Sequence, residues 1–156
     1  MKSTNQTTFL FQVAEISISY SSKIKPSGRP KIGSSRDAEQ ILRENWEEGT
    51  LEHREQVYLL LLNRVNKVLG IFLVSSGGLA GTVCDPKVVF QAALKANASG
   101  IILAHNHPSG ALTPSEADRK LTKKLVEAGD LLDIKVWDHL ILTEEGYCSM
   151  ADEGYM

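Results

Sequence analysis

The longest unbroken apolar runs of the chain fall at residues 57–62 and 68–74, with a polar turn at 63–67 between them. Runs without polar alternation belong to strands covered on both faces, so this pair reads as a buried hairpin. Upstream, residues 9–20 are apolar, but Gln12, Glu15, Ser17 and Ser19 interrupt them at strand-like spacing. That rhythm predicts a first strand and not an export signal. The basic, Pro/Gly/Ser-rich stretch 21–33, with Lys23, Lys25, Arg29 and Lys31, reads as a loop or mobile arm. Ser34 or Ser35 then caps a helix to about Glu48, with Ala38, Ile41 and Leu42 on one face and Gly49 as its stop.

A turn over 75–79 and a short strand through Thr82 and Val83 lead to Asp85 and Pro86. A cap residue followed by proline opens a helix, here to about Asn97. Gly100 starts the next strand, 101–105, and a polar loop over 106–112 follows. Thr113 and Glu116 match a capping box at the head of a helix to about Gly129. A strand over 134–143, a turn at 144–146, a short strand around Cys148 and a polar tail complete the chain. Hairpins supply antiparallel neighbours and helical crossovers parallel ones. The expected fold is therefore α/β, a three-layer sandwich with a mixed β-sheet flanked by helices. With 156 residues there is room for one domain. Residues 1–33 are expected to form the N-terminal strand and basic arm, and residues 34–150 the domain proper.

Composition alters this picture little. Lysine plus arginine number 17 against 19 acidic residues, so the net charge of -2 gives no general electrostatic reason to bind nucleic acid. Cys84 and Cys148 lie far apart and outside any Cys-x-x-Cys pair, which suits free thiols in a reducing cytoplasm. No run reaches the roughly 18 apolar residues of a membrane-spanning helix, so no membrane partner is expected.

The chemistry lies elsewhere. Two of the four histidines flank a single asparagine in the run His105, Asn106, His107. In extended backbone, residues i and i+2 point to one side, so both imidazoles can converge on one ion at the carboxyl end of the strand. Asp118 lies eleven residues beyond His107, with Ser115 three residues before it on the same helical face. Two neutral imidazoles and one carboxylate form a three-ligand zinc site with a fourth position open, as catalytic zinc requires. A hydrolase also needs a group that takes a proton and returns it to the leaving nitrogen. Glu55, just ahead of the buried run at 57–62, is the best-placed candidate, with Glu52 its rival. Glu44, Glu47 and Glu48 read as surface residues of the preceding helix, and His53 as solvated. Ser115 either donates a hydrogen bond to a developing oxyanion or only caps its helix. Asp138 and His139 alternate faces on a strand, so at most one of them faces the site, either orienting a ligand or serving structure. Asn106 and Ser109 are expected to shape the loop. A zinc nucleobase deaminase is excluded, because its His-x-Glu and Pro-Cys-x-x-Cys motifs are missing.

This constellation resembles the JAMM/MPN-plus metalloprotease signature, a glutamate upstream of His-x-His, seven residues, Ser, two residues and Asp. It stands here as Glu55, His105, His107, Ser115 and Asp118. The run His105-Asn106-His107-Pro108-Ser109-Gly110, the Pro114-Ser115-x-x-Asp118 that follows, and Asp138-His139 resemble the RadC-like JAB branch of that superfamily in bacteria. The likeness extends from about Ser35 to Cys148. It implies one zinc ion held by His105, His107 and Asp118, with Glu55 as general acid/base and Ser115 as oxyanion donor. The implied activity is that of a metallopeptidase or isopeptidase acting on a peptide or protein. Longer relatives often carry a helix-hairpin-helix segment associated with DNA, whereas the first 50 residues here have room for one strand and one helix. The family's name links it to DNA repair. The alternative is thus a DNA-associated accessory or interaction module that keeps a structural metal, with residues 23–31 as its basic contact. An exposed sheet edge would allow a dimer.

Overall fold

The computed structural model of the chain describes residues 12–77 and 83–156. Three helices, α1 (Ser35–Asn45), α2 (Pro86–Lys95) and α3 (Glu116–Leu131), pack on a sheet of five strands. These strands are β1 (Gln56–Leu62), β2 (Val68–Ser76), β3 (Gly100–Asn106), β4 (Lys135–Leu142) and β5 (Tyr147–Ser149). Their order across the sheet is β2-β1-β3-β4-β5. β3 and β4 run parallel, with α3 as the crossover between them, and the other neighbours are antiparallel. The expected mixed sheet is present. No helix among the described residues is long and apolar enough to cross a membrane.

The apolar runs explain the layers. In β1, Val57, Leu59 and Leu61 pack with Val89, Phe90 and Ala93 of α2 and Leu125 of α3. Tyr58, Leu60 and Leu62 pack on the other face with Ala38 and Leu42 of α1 and with Trp46. β3 divides in the same way, Ile101 and Leu103 toward α2 and α3, Ile102 and Ala104 toward α1. Alternation along a strand then sends His105 to the α2/α3 side and Asn106 to the α1 side.

β4 does not follow this parity throughout. Ile101 pairs with Val136, but Ile102 pairs with Asp138, so Trp137 is an extra residue in the ladder. The irregularity reverses the faces of everything after it. His139 comes to lie beside Leu103, on the face of His105, and Asp138 beside Ile102 on the α1 side.

Several expectations need correction. Residues 12–20 form no strand and are exposed, Val13, Ile16 and Ile18 among them, while 9–11 lie outside the described residues. Apolar alternation assigns the two sides of a strand but does not supply a partner edge. At its end the Tyr20 hydroxyl donates to the Leu69 carbonyl of β2, at 3.0 Å. α1 stops at Asn45 and not near Glu48, because Trp46 turns extended and its ring packs at a tilt against Tyr58 with centroids 4.4 Å apart. β2 continues through Ser75 and Ser76, where a turn was expected. Val83 is not in a strand, and Thr82 and the remainder of the expected turn, 78–79, lie outside the described residues.

The turn from α3 into β4 brings backbone against backbone at Gly129. A Cβ there would lie 2.3 Å from the Ile134 carbonyl oxygen. Gly129→Ala is expected to lower stability by about 1–3 kcal/mol through overpacking. Gly70→Ala, which meets nothing within 4 Å, should change little. Urea unfolding of the two variants checks the contrast.

Candidate metal centre

β3 ends in a buried corner. His105 is 3% exposed, and His107 follows on the loop, half-buried. Their Nε2 atoms lie 2.9 Å apart. Asp118 closes the triangle, with Oδ1 3.3 Å from His105 Nε2 and Oδ2 3.5 Å from His107 Nε2. One ligand atom from each residue falls within 4.8 Å of the others, a group able to hold a metal ion. The sequence spacing therefore does bring these three side chains together.

Asp118 is placed by its own helix. The expected Thr113/Glu116 capping box is not the one that forms. Ser115 is the N-cap of α3 and Asp118 its N3 residue. The Ser115 hydroxyl accepts from the Asp118 N–H at 3.0 Å, and Asp118 Oδ2 accepts from the Ser115 N–H at 2.8 Å. Thr-x-x-Glu and Ser-x-x-Asp overlap in this stretch, and the helix uses the second. A carboxylate offers about four lone pairs, so one bond to the cap leaves Oδ1 and part of Oδ2 for a cation. Ser115 is exposed, and its role as helix cap is visible directly.

Glu55 is half-buried just ahead of β1. The β1/β3 register pairs Val57 with His105. Continued by two residues, that register sets Glu55 opposite His107. Glu55 also shares a cleft of about 260 Å³ with His105, Asp118 and His139, walled by Val57, Leu103, Cys84 and Leu121. Its rival Glu52 is exposed and lines a different cleft, with Ser109, Glu144 and Glu145. His53 is exposed.

Asn106 is the residue that mounts Glu55. Fully buried, it accepts from the Gln56 N–H at 2.7 Å and donates to the Leu51 and Arg54 carbonyls at 2.7 and 2.9 Å. The Glu55 carbonyl in turn accepts from Gly77 N–H at 2.9 Å. A buried amide with three partners shapes this loop, and the side chain between the two histidines necessarily points away from them. Ser109 accepts from the Ala111 N–H at 3.4 Å and likewise belongs to loop geometry. Glu47, read from sequence as a surface residue, holds Gln56 and Arg54.

Two more residues lie behind His105: His139, for which orienting a ligand was one of two readings, and Thr122, which the sequence did not single out. His139 is 1% exposed and lies 2.7 Å from His105 Nδ1 through its Nε2. Thr122, one turn beyond Asp118, contacts His139 Nδ1 at 2.6 Å. Asp138 serves structure on the other face, accepting from the His139 and Ala151 N–H groups and from Ser149. Burial pushes its carboxyl above the ordinary value, against the pull of those donors.

The electrostatics suit a cation. The Ala111 carbonyl lies 2.7 Å from His107 Nδ1, and a carbonyl only accepts, so Nδ1 carries the hydrogen. The neutral ring then turns an Nε2 lone pair toward His105. Burial works to raise the Asp118 carboxyl, but in the metal-free protein a proton on Nε2 of the His105 or His107 ring, together with the Ser115 N–H, holds it far below the usual carboxylate range. The Asp118 carboxylate raises His107 above its ordinary value, against desolvation, with the Ala111 carbonyl and the Glu55 charge assisting. Two ring nitrogens at this separation beside an ionised carboxylate need a hydrogen or a metal ion between them. Nitrogen and oxygen donors of this kind fit a divalent cation. Burial, with the Asp85 charge, pushes the Cys84 thiol up to about 11, and Cys84 is not among the three residues whose ligand atoms gather here.

The RadC-like JAB domain model matches residues 32–155. A UPF0758 protein of Flavobacterium johnsoniae is 49% identical over 124 residues, covering 80% of this chain and 53% of the relative. One from Rubrobacter xylanophilus is 40% identical over 131 residues, 83% of this chain and 55% of the relative. One from Porphyromonas gingivalis is 42% identical over 104 residues, 66% and 46% respectively. The chain thus spans about half the length of the curated relatives it matches.

A bound cation requires His107 neutral, whereas the metal-free protein keeps a proton there above the ordinary histidine value of 6.5. Affinity for a divalent cation is therefore expected to fall as pH drops through the raised His107 value and to level off above it. Calorimetry in buffers of different ionisation enthalpy should record about one proton released per ion below that value and none above it. A flat profile would contradict the assignment of His107.

Proposed function

The chain belongs to the RadC-like JAB domain family, and from that premise and the site's chemistry we propose that it is a zinc-dependent hydrolase, a metallopeptidase or isopeptidase. The observation that carries this reading is the gathering of His105, His107 and Asp118 around one point, with Glu55 in the same cleft. Two imidazoles and one carboxylate are a three-residue donor set that leaves zinc an open position. Zinc held there supplies Lewis-acid activation of water and of the scissile carbonyl.

The rest falls to this chain's own groups. Glu55, its backbone fixed on both sides, accepts the proton of the attacking water and delivers it to the leaving nitrogen. Ser115 keeps its hydroxyl hydrogen after accepting from Asp118, and donates it to the developing oxyanion, where the positive end of α3 adds to the effect. Val57, Leu103 and Leu121 make the cleft wall apolar and strengthen these charge interactions by excluding water.

The test uses zinc-loaded protein on peptide and isopeptide libraries. Cleavage is expected, and Glu55→Gln should lower kcat by about 10²- to 10⁴-fold with zinc content unchanged. Cleavage that survives this substitution would overturn the mechanism. The alternative, a DNA-repair accessory module with a structural metal, rests on the exposed Lys23, Lys25 and Lys31, and parts from the hydrolase reading in the same assay. Such a module would hold zinc and cleave nothing.

A further inference from the structure

We propose that Thr122 and His139 are positioning residues that commit the Nε2 lone pair of His105 to the metal, through a buried chain of hydrogen bonds with one direction. The inference rests on the metal reading of the His105, His107 and Asp118 cluster, and is independent of hydrolysis.

The chain begins at Thr122. Its hydroxyl lies 2.8 Å from the Asp118 carbonyl oxygen, 3.7 Å from Met150 Sδ and 2.6 Å from His139 Nδ1. The carbonyl and the thioether can only accept. The hydroxyl donates its single hydrogen to the carbonyl one turn back, the usual bond of a helical threonine, and presents a lone pair to the imidazole. His139 Nδ1 must then carry a hydrogen, and its Nε2 does not. That bare nitrogen lies 2.7 Å from His105 Nδ1, which donates to it. With its hydrogen on Nδ1, His105 turns an unprotonated Nε2 toward Asp118 and His107.

Burial makes the chain decisive. Thr122 is 2%, His139 1% and His105 3% exposed, and Met150, fully buried, closes the far side. Little solvent reaches these atoms, so each hydrogen position is set by its neighbour. The two histidine ligands thus use the same device with different anchors. A backbone carbonyl fixes His107, and a threonine hydroxyl relayed through a second histidine fixes His105. The extra residue in β4 makes this possible, because without it His139 would face α1.

Two measurements test the proposal. In metal-free wild-type protein, above the His107 titration, imidazole ¹⁵N shifts should report His105 and His139 both protonated on Nδ1. Zinc affinity, read by chelator competition, should fall by about 10- to 100-fold in Thr122→Val, which keeps the shape and removes the hydroxyl. Thr122→Ser should restore wild-type affinity. Equal affinity in Thr122→Val, or a Thr122→Ser variant as weak as Thr122→Val, would overturn the proposal. So would a wild-type His105 protonated on Nε2, a result that stands even if a variant fails to fold. Failure of the wild type to bind zinc at all would remove the premise about the metal, and with it this inference. Zinc binding without any cleavage would leave the relay intact and count against hydrolysis alone.

Discussion

Two imidazole nitrogens 2.9 Å apart beside an ionised carboxylate, in a corner largely closed to water, repel one another unless a proton or a metal ion sits between them. This constraint connects the features around the site. The Ala111 carbonyl fixes one ring, the capping box of α3 fixes the carboxylate, and the strand end fixes the other ring. Each anchor is separate from the others, so the repulsive cluster is held in place by elements that are stable for their own reasons. The resulting cluster is a group able to hold a metal ion.

The sheet makes those anchors meet. β3 is central, covered on both faces, and runs into the site with its parity fixed by packing from Ile101 onward. Antiparallel pairing with β1 brings Glu55 to the same end, and parallel pairing with β4 brings His139 alongside. The crossover helix required by the parallel pair is α3, whose first turn carries Asp118. Asn106 performs the complementary task on the opposite face, tying the segment before β1 to the end of β3. One strand end therefore positions the candidate ligands through one face and the candidate base through the other.

Much of this was legible in the sequence. The unbroken run of β1 showed a strand covered twice, whereas the similar run of β2 belongs to an edge strand that leaves Phe72 and Leu73 exposed, and the interleaving of helices showed the mixed sheet. The His-x-His spacing sent two rings to one side, which the structure bears out. What escaped were features that depend on a partner. Residues 12–20 have strand-like alternation, but whether such a segment joins a sheet depends on which edge accepts it. The extra residue at Trp137 is invisible to a period-two reading of β4 alone, so the side taken by His139 was left open. Thr122 has no motif to single it out, since a threonine one turn after an aspartate is ordinary in a helix. Thr113 and Ser115 both head plausible capping boxes, and the sequence reading took the first where the helix uses the second. The Asn106 amide had a readable signal, because a polar side chain between two same-facing residues on a covered strand must be buried and bonded.

The most direct measurement is a crystal structure of the zinc-loaded protein with anomalous scattering recorded at the zinc edge. The account predicts one peak bonded to Nε2 of His105 and of His107 at about 2.0–2.1 Å and to Asp118 at about 2.0–2.2 Å, with Glu55 facing it across the cleft. A peak held by other side chains, or no peak while these three residues lie apart, would contradict it.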